Sequence, residues 1–322
     1  MKLIKNTLLL VLSLVLFTAC QKKETSPASG SPKKLVVVTT LFPLYDFART
    51  IGGDKADVTL IIPPGVETHS FEPKPEDAVR VSKSDLFVFT NEDMEPWAVK
   101  FVGGVNSGKV TLVDSSKGVM FLKSGVADHA EKDHGGKNGK EHNHADGKDP
   151  HVWLDFDNAR IMVENIAAAM VAKDPANKDY FNTNAAIAKK ELKKLDDGFK
   201  SGLSTCSKRV ILHGGHYTFG YLANRYGLQY VSASAVNADA EPTPAKLIAL
   251  VKQVKAMNLK YVFSEELLSP RVSEMIAKEA GVSVLMLHGA HNIGREDSEQ
   301  KTTFISLMNK NLTSLRTGLE CR

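Results

Sequence analysis

Apolar runs and polar breaks alternate along most of this chain at two different periods. Leu35-Val36-Val37-Val38-Thr39 is a continuous β-branched run, which predicts a strand buried on both faces. Residues 41–51 carry apolar side chains at helical spacing and stop at Gly52-Gly53. The alternation continues with strands at 58–62, 86–89 and 110–113 and helices at 75–84 and 94–102. Residues 158–172 and 178–203 read as helices, the second starting after an Asp174-Pro175 break. At about 25 residues it would be roughly 37 Å long, a rigid connector. The pattern then repeats, with strands at 209–212, 230–233, 261–264 and 282–287. Helices are predicted at 216–226, 243–257, 269–280 and 298–319. Strand–helix alternation in both halves predicts an α/β fold of two (βα)4-type domains with mainly parallel sheets, joined by the long helix. The expected boundaries are 34–157, 158–204 for the connector helices, and 205–322.

Two segments fall outside this rhythm. At the start, Lys2 and Lys5 precede an apolar stretch from Leu8 to Phe17, and Thr18-Ala19-Cys20 follow. This reads as a signal segment over 1–19, too short for a comfortable membrane span. Its end resembles a bacterial lipobox, with Phe17 where leucine is usual. On that resemblance Cys20 is the lipidated residue, and 20–33 is a polar tether to a membrane. The second segment is 128–149. It holds ten charged residues, four glycines and His129, His134, His142 and His144, and nothing more apolar than two alanines. Such a stretch cannot bury enough surface to offset its ordering entropy, so it is expected to be a mobile loop. Four imidazoles on it suit a weak, adaptable metal chelator.

The 322 residues carry a formal net charge of only +4. With no basic stripe interleaved with aromatics, nothing points to nucleic acid. With Cys20 assigned to the anchor, Cys206 and Cys321 remain, an even number suited to a disulfide in an oxidising compartment.

The other six histidines are His69, His151, His213, His216, His288 and His291. None lies on an apolar helix face, where a core histidine would be the default. Gly65-Val66-Glu67-Thr68-His69-Ser70-Phe71-Glu72-Pro73 resembles the first ligand motif of the metal-binding solute-binding proteins of ABC transporters, the cluster A-I family. Asp149-Pro150-His151-Val152-Trp153-Leu154-Asp155 is similar to the second motif, which in zinc-type members follows a His-rich loop. His216-Tyr217-Thr218-Phe219-Gly220-Tyr221-Leu222, with Arg225-Tyr226-Gly227-Leu228, resembles the third. The resemblance covers nearly the whole chain after the tether. It implies one metal held between two domains by a monomeric, extracytoplasmic lipoprotein, in the periplasm or at the cell surface, and delivery to a membrane permease.

The third motif bears on the metal. Manganese-type members resemble one another in having glutamate there, whereas this chain has His216. Imidazoles suit Zn²⁺, while Mn²⁺ prefers carboxylate oxygen. The expected cargo is therefore Zn²⁺, with manganese, iron or nickel as the alternative within the family. At the fourth position the family usually places aspartate after the strand at 282–287. Here His288 stands nearest and is the expected ligand with His69, His151 and His216; His291 is its competitor. Glu67 and Glu265 are candidates to support the ligands from behind. For His213 an extra ligand, a supporting group and a surface position stay open, with the surface position expected. Other functional classes fare less well. A zinc hydrolase needs an open metal position and a placed base, and no HExxH pattern occurs. Nothing in the sequence supports an adhesin. The expected protein is not an enzyme.

Overall fold

Among the described residues, eight strands fold into two separate four-stranded sheets, each wholly parallel. The computed structural model describes residues 33–105, 108–123, 147–235 and 242–322. The expected signal segment, Cys20, the tether up to residue 32 and the four loop histidines lie outside them. The first sheet contains β1 (Leu35–Thr39), β2 (Ala56–Leu60), β3 (Leu86–Phe89) and β4 (Thr111–Asp114) in the order β2-β1-β3-β4. The second contains β5 (Val210–His213), β6 (Gln229–Ser232), β7 (Tyr261–Glu265) and β8 (Ser283–Leu287) in the order β6-β5-β7-β8. The second half thus repeats the topology of the first. Parallel strands need crossovers, and helices supply them. In the first half these are α1 (Phe42–Gly52), α2 (Pro75–Ser82) and α3 (Ala98–Val105).

Two long helices stand between the sheets in sequence: α4 (Phe156–Lys173) and α5 (Lys178–Gly202). Asp155 starts α4 by accepting the N–H groups of Asp157 at 2.8 Å and Asn158 at 3.3 Å, a side-chain N-cap. The second half adds α6 (Gly220–Arg225), α7 (Pro244–Ala256), α8 (Arg271–Ala280), α9 (Arg295–Glu299) and α10 (Phe304–Gly318). The helix expected over 298–319 is therefore two helices. The chain breaks at Lys301, which has φ +53°, and Thr303 caps the new start by accepting from Ser306 N–H at 3.1 Å.

Residues Lys34–Arg322 form one compact unit. One apolar core runs from the first sheet through α4 and α5 to β5, Leu287 and α10. At its centre Phe156 of α4 meets Phe199 of α5 edge-on at 5.1 Å between ring centroids, and Phe199 stacks on Tyr226 at 5.3 Å. Phe304 of α10 packs edge-on against Phe47 of α1 at 5.3 Å. Each such buried ring is worth about 1.5–3 kcal/mol, so these rings weld the two halves. A second, smaller core of Leu212, Val231, Leu250, Val254, Val262 and Ile276 lies under α7 and α8. Cys206 and Cys321 are joined in a disulfide across 115 residues, tying the approach to β5 to the end of α10. No helix among the described residues is long and apolar enough to cross a membrane.

Candidate metal centre

Four loops converge at the carboxyl ends of the strands, where open parallel sheets place their ligand sites. His69 lies in the loop after β2, His151 just before α4, His216 between β5 and α6, and His291 after β8. One nitrogen from each of the four lies within 4.8 Å of the others. The six ring-centroid separations all fall between 4.9 and 5.5 Å. Six near-equal distances among four points describe a tetrahedron. Its centre lies about 3.2 Å from each ring centroid, which matches a Zn–N bond of about 2.0–2.1 Å extended by the half-width of an imidazole. The Nε2 atoms of three of these rings, His69, His151 and His291, are buried with no hydrogen-bond partner. Orphaned buried acceptors are costly, and three aimed at one point suit a cation.

Two of the imidazoles are held from behind by carboxylates. Asp149 Oδ1 accepts from both the backbone N–H of His151 at 3.0 Å and its Nδ1 at 2.7 Å. Asp149 is fixed in turn, because Tyr221 donates its hydroxyl to the Asp149 carbonyl at 3.0 Å. Gly220 opens α6 so close to Asp149 that a Cβ there would lie 2.6 Å from Oδ2. Glu265 Oε1 takes the N–H of His216 at 3.1 Å and its Nδ1 at 2.9 Å. Gly215 leaves room for that carboxylate where a side chain would collide with it. With Nδ1 donating, Nε2 is left as the metal-facing lone pair in both rings. Thr218 Oγ1 sits 2.8 Å from His216 Nε2 and donates to Glu265 Oε2 at 3.2 Å.

The electrostatics keep His69 and His151 in the neutral form. Burial, reinforced by the His291 and His216 rings, pushes His69 down to about 3. Burial likewise holds His151 well below the usual histidine range. Both are neutral near pH 7, the form that ligates. Burial would also lower His216, but the Glu265 carboxylate outweighs it and the net shift is upward. Asp149 is pushed up to about 7 by its burial, against the pull of its bond from His151.

The remaining candidates fall differently. Glu265 hydrogen-bonds the ring of His216, whereas the hydrogen bonds of Glu67 go to the backbone of His69 and to Ser70. Glu67 accepts the backbone N–H of His69 at 3.0 Å and of Ser70 at 2.8 Å, so it shapes the loop. His288, expected as the fourth ligand, is outside the tetrahedron, and His291 takes its place. Asn311 grips His288 by its backbone, accepting its N–H at 2.7 Å and donating to its carbonyl at 2.8 Å. The ring of His288 folds back so that Nδ1 accepts from Ala290 N–H at 3.0 Å. His213 is not at the surface: it is fully buried. Its ring meets Phe219 edge-on at 5.2 Å, and Nδ1 lies 3.2 Å from the His216 carbonyl. His216 does not open a helix either, since α6 begins at Gly220. Glu266 and Asp149 were not singled out from the sequence, although the Glu265-Glu266 pair at a strand end was a visible signal for the first.

The surrounding loops are cross-tied. Trp153 Nε1 donates to Gly289 O at 2.8 Å. Asn292 Nδ2 donates to Pro63 O at 2.7 Å and Val66 O at 3.0 Å, and Gly65 N–H donates to Ile293 O at 2.8 Å.

Comparison with known proteins gives a consistent picture. The ZnuA family, described as zinc-uptake complex component A, periplasmic, matches residues 37–318. The zinc-binding lipoprotein AdcA of Streptococcus pneumoniae is 34% identical over 313 residues, covering 97% of this chain and 60% of that protein. The chain thus spans about 60% of the length of that relative. The high-affinity zinc uptake system protein ZnuA of Bacillus subtilis is 34% identical over 306 residues, covering 95% of this chain and 94% of that one. The crystal structure of the Zn(II)-bound ZnuA-like domain of S. pneumoniae AdcA superposes with a TM-score of 0.74 at 32% identity. It covers 89% of this chain and 100% of that domain.

Proposed function

The chain belongs to the ZnuA family of periplasmic zinc-uptake components, and on that premise we propose that it captures Zn²⁺ outside the cytoplasmic membrane and delivers it to an ABC transporter permease. The observation that carries the reading is the tetrahedron of His69, His151, His216 and His291, with three buried Nε2 atoms lacking a partner. Zn²⁺ is the cargo, held by four borderline nitrogen donors in its preferred geometry. Mn²⁺ favours oxygen donors, and no carboxylate belongs to this set. Four protein donors also leave no open position for a metal-bound water, which separates a carrier from a zinc hydrolase.

In this reading 34–157 and 205–322 are the two domains, and 158–204 is the connector between them. The protein works as a monomer tethered through a lipid on Cys20. The His-rich segment serves as an auxiliary, weak metal chelator.

The test is competition against a chromophoric chelator with Zn²⁺ and Mn²⁺. It uses wild type, His216→Ala and a variant with residues 128–146 replaced by a short turn. One tight zinc site that survives loop replacement and is lost with His216→Ala supports the reading. Zinc binding that follows the loop, or manganese prevailing, would overturn it.

A further inference from the structure

Strand β7 ends at Glu265, and Glu266 follows it; the two adjacent carboxylates have different tasks. Glu265 backs His216. Glu266 points instead into the turn at 288–291, with its side chain 10% exposed. Its Oε2 accepts Gly289 N–H at 2.7 Å and its Oε1 accepts Ala290 N–H at 3.1 Å. Oε1 also lies 3.1 Å from His288 Nδ1 and 3.9 Å from His291 Nδ1.

This turn is an unusual one. Ala290 has φ +61°, the left-handed region that an alanine rarely occupies. Glycine would be the expected occupant, and Gly289 stands beside it, yet the left-handed residue is Ala290. Such a conformation persists only where its surroundings over-determine it. The ends of the turn are fixed by other groups: Asn311 grips His288, and Phe42 N–H donates to His291 O at 3.0 Å. Glu266 fixes its middle, by the amides immediately before His291. A one-residue change of backbone state at Ala290 would swing the His291 ring away from the other three.

The geometry points to Glu266 as the positioning residue for His291: its carboxylate clamps the Gly289 and Ala290 amides, holds Ala290 left-handed and so aims the fourth imidazole. With Glu265 behind His216, it adds negative charge behind four neutral imidazoles. Groups behind metal ligands that do this are typically worth about 10–100-fold in metal affinity. The inference rests on the functional reading above, because it takes His291 as a ligand of Zn²⁺.

Glutamine keeps the size of Glu266 but offers one acceptor oxygen where two are used. The test is a double-mutant cycle of Glu266→Gln and His291→Ala, read by zinc competition and by the visible spectrum of the Co²⁺-loaded protein. Glu266→Gln is expected to weaken zinc binding by about tenfold or more in wild type. It should also lower the intense tetrahedral Co²⁺ bands toward those of His291→Ala. In the His291→Ala background it should change affinity by less than about threefold, because its route of action is gone. Should Glu266→Gln lose its far-UV circular dichroism, Glu266→Asp is read in the same cycle. Equal effects in both backgrounds, or none in wild type, overturn the inference alone. A wild-type protein with no tight 1:1 zinc site would overturn the functional reading and this inference together.

Discussion

The indole of Trp153 reaches the carbonyl of Gly289 at 2.8 Å, joining the segment that carries His151 to the turn that carries His291. Each partner is two residues from its histidine, 136 residues apart in sequence. The bond therefore sets the distance between two donors brought from opposite halves of the chain. Trp153→Phe keeps most of the ring but leaves the Gly289 carbonyl unpaired, at a cost of about 1–3 kcal/mol. We expect zinc affinity to fall by about tenfold with a lowered unfolding midpoint. Isothermal titration and urea denaturation read the two effects. An unchanged affinity would show that the clip does not set the site.

The same ties argue for a site assembled before metal arrives. The continuous aromatic core and the Asn292 and Gly65 bonds leave no free hinge between the ligand loops. Solution scattering of metal-free and zinc-loaded protein should differ in radius of gyration by less than about 1 Å, as in pre-organised complexes. A clear compaction on loading would contradict this.

Stability should depend on pH through Glu95. This carboxylate is 1% exposed. It accepts the N–H groups of Thr90 at 3.1 Å and Asn91 at 3.2 Å, and the hydroxyl of Thr40. Burial pushes its pKa up from 4.5 to about 7. The folded chain therefore holds this proton more tightly than the unfolded one. The contribution is fully present below about pH 4.5 and is lost as pH rises through 7, amounting to about 3 kcal/mol. Denaturation of wild type and Glu95→Gln at pH 5 and pH 8 should show the wild type losing stability relative to the variant. A parallel response of the two would refute the assignment.

The disulfide Cys206–Cys321 closes a span of 115 residues, worth up to about 4–5 kcal/mol on a chain-entropy basis. Replacing both cysteines with serine should lower the urea midpoint accordingly while leaving zinc stoichiometry at one. Loss of zinc binding in a still-folded variant would mean that the bridge also shapes the site.

The sequence made the architecture legible because hydrophobic period and break residues act locally. β1 matched its β-branched run, and the two four-strand repeats were visible as repeats. Where the structure departs, a long-range partner has overridden a local signal. His216 was expected to open a helix. Its amide is taken instead by Glu265 at 3.1 Å, 49 residues away, and that of Thr218 by the Tyr230 hydroxyl at 3.2 Å, so α6 starts only at Gly220. His288 follows β8 directly, the natural place for a ligand leaving a strand. The reversal at Ala290 presents His291 instead, and no residue type announces a left-handed alanine. For His213, at a strand end, the surface position was the expectation, but β5 turns its last side chain inward against Phe219 and Tyr230.

X-ray absorption at the zinc edge of the loaded protein, on wild type, His291→Ala and His288→Ala, decides the ligand set. Four nitrogen neighbours at about 2.0–2.1 Å with imidazole scattering are expected in wild type and in His288→Ala, falling to three in His291→Ala. A carboxylate oxygen in the wild-type shell, or an imidazole lost with His288→Ala instead of His291→Ala, would contradict the four-histidine site.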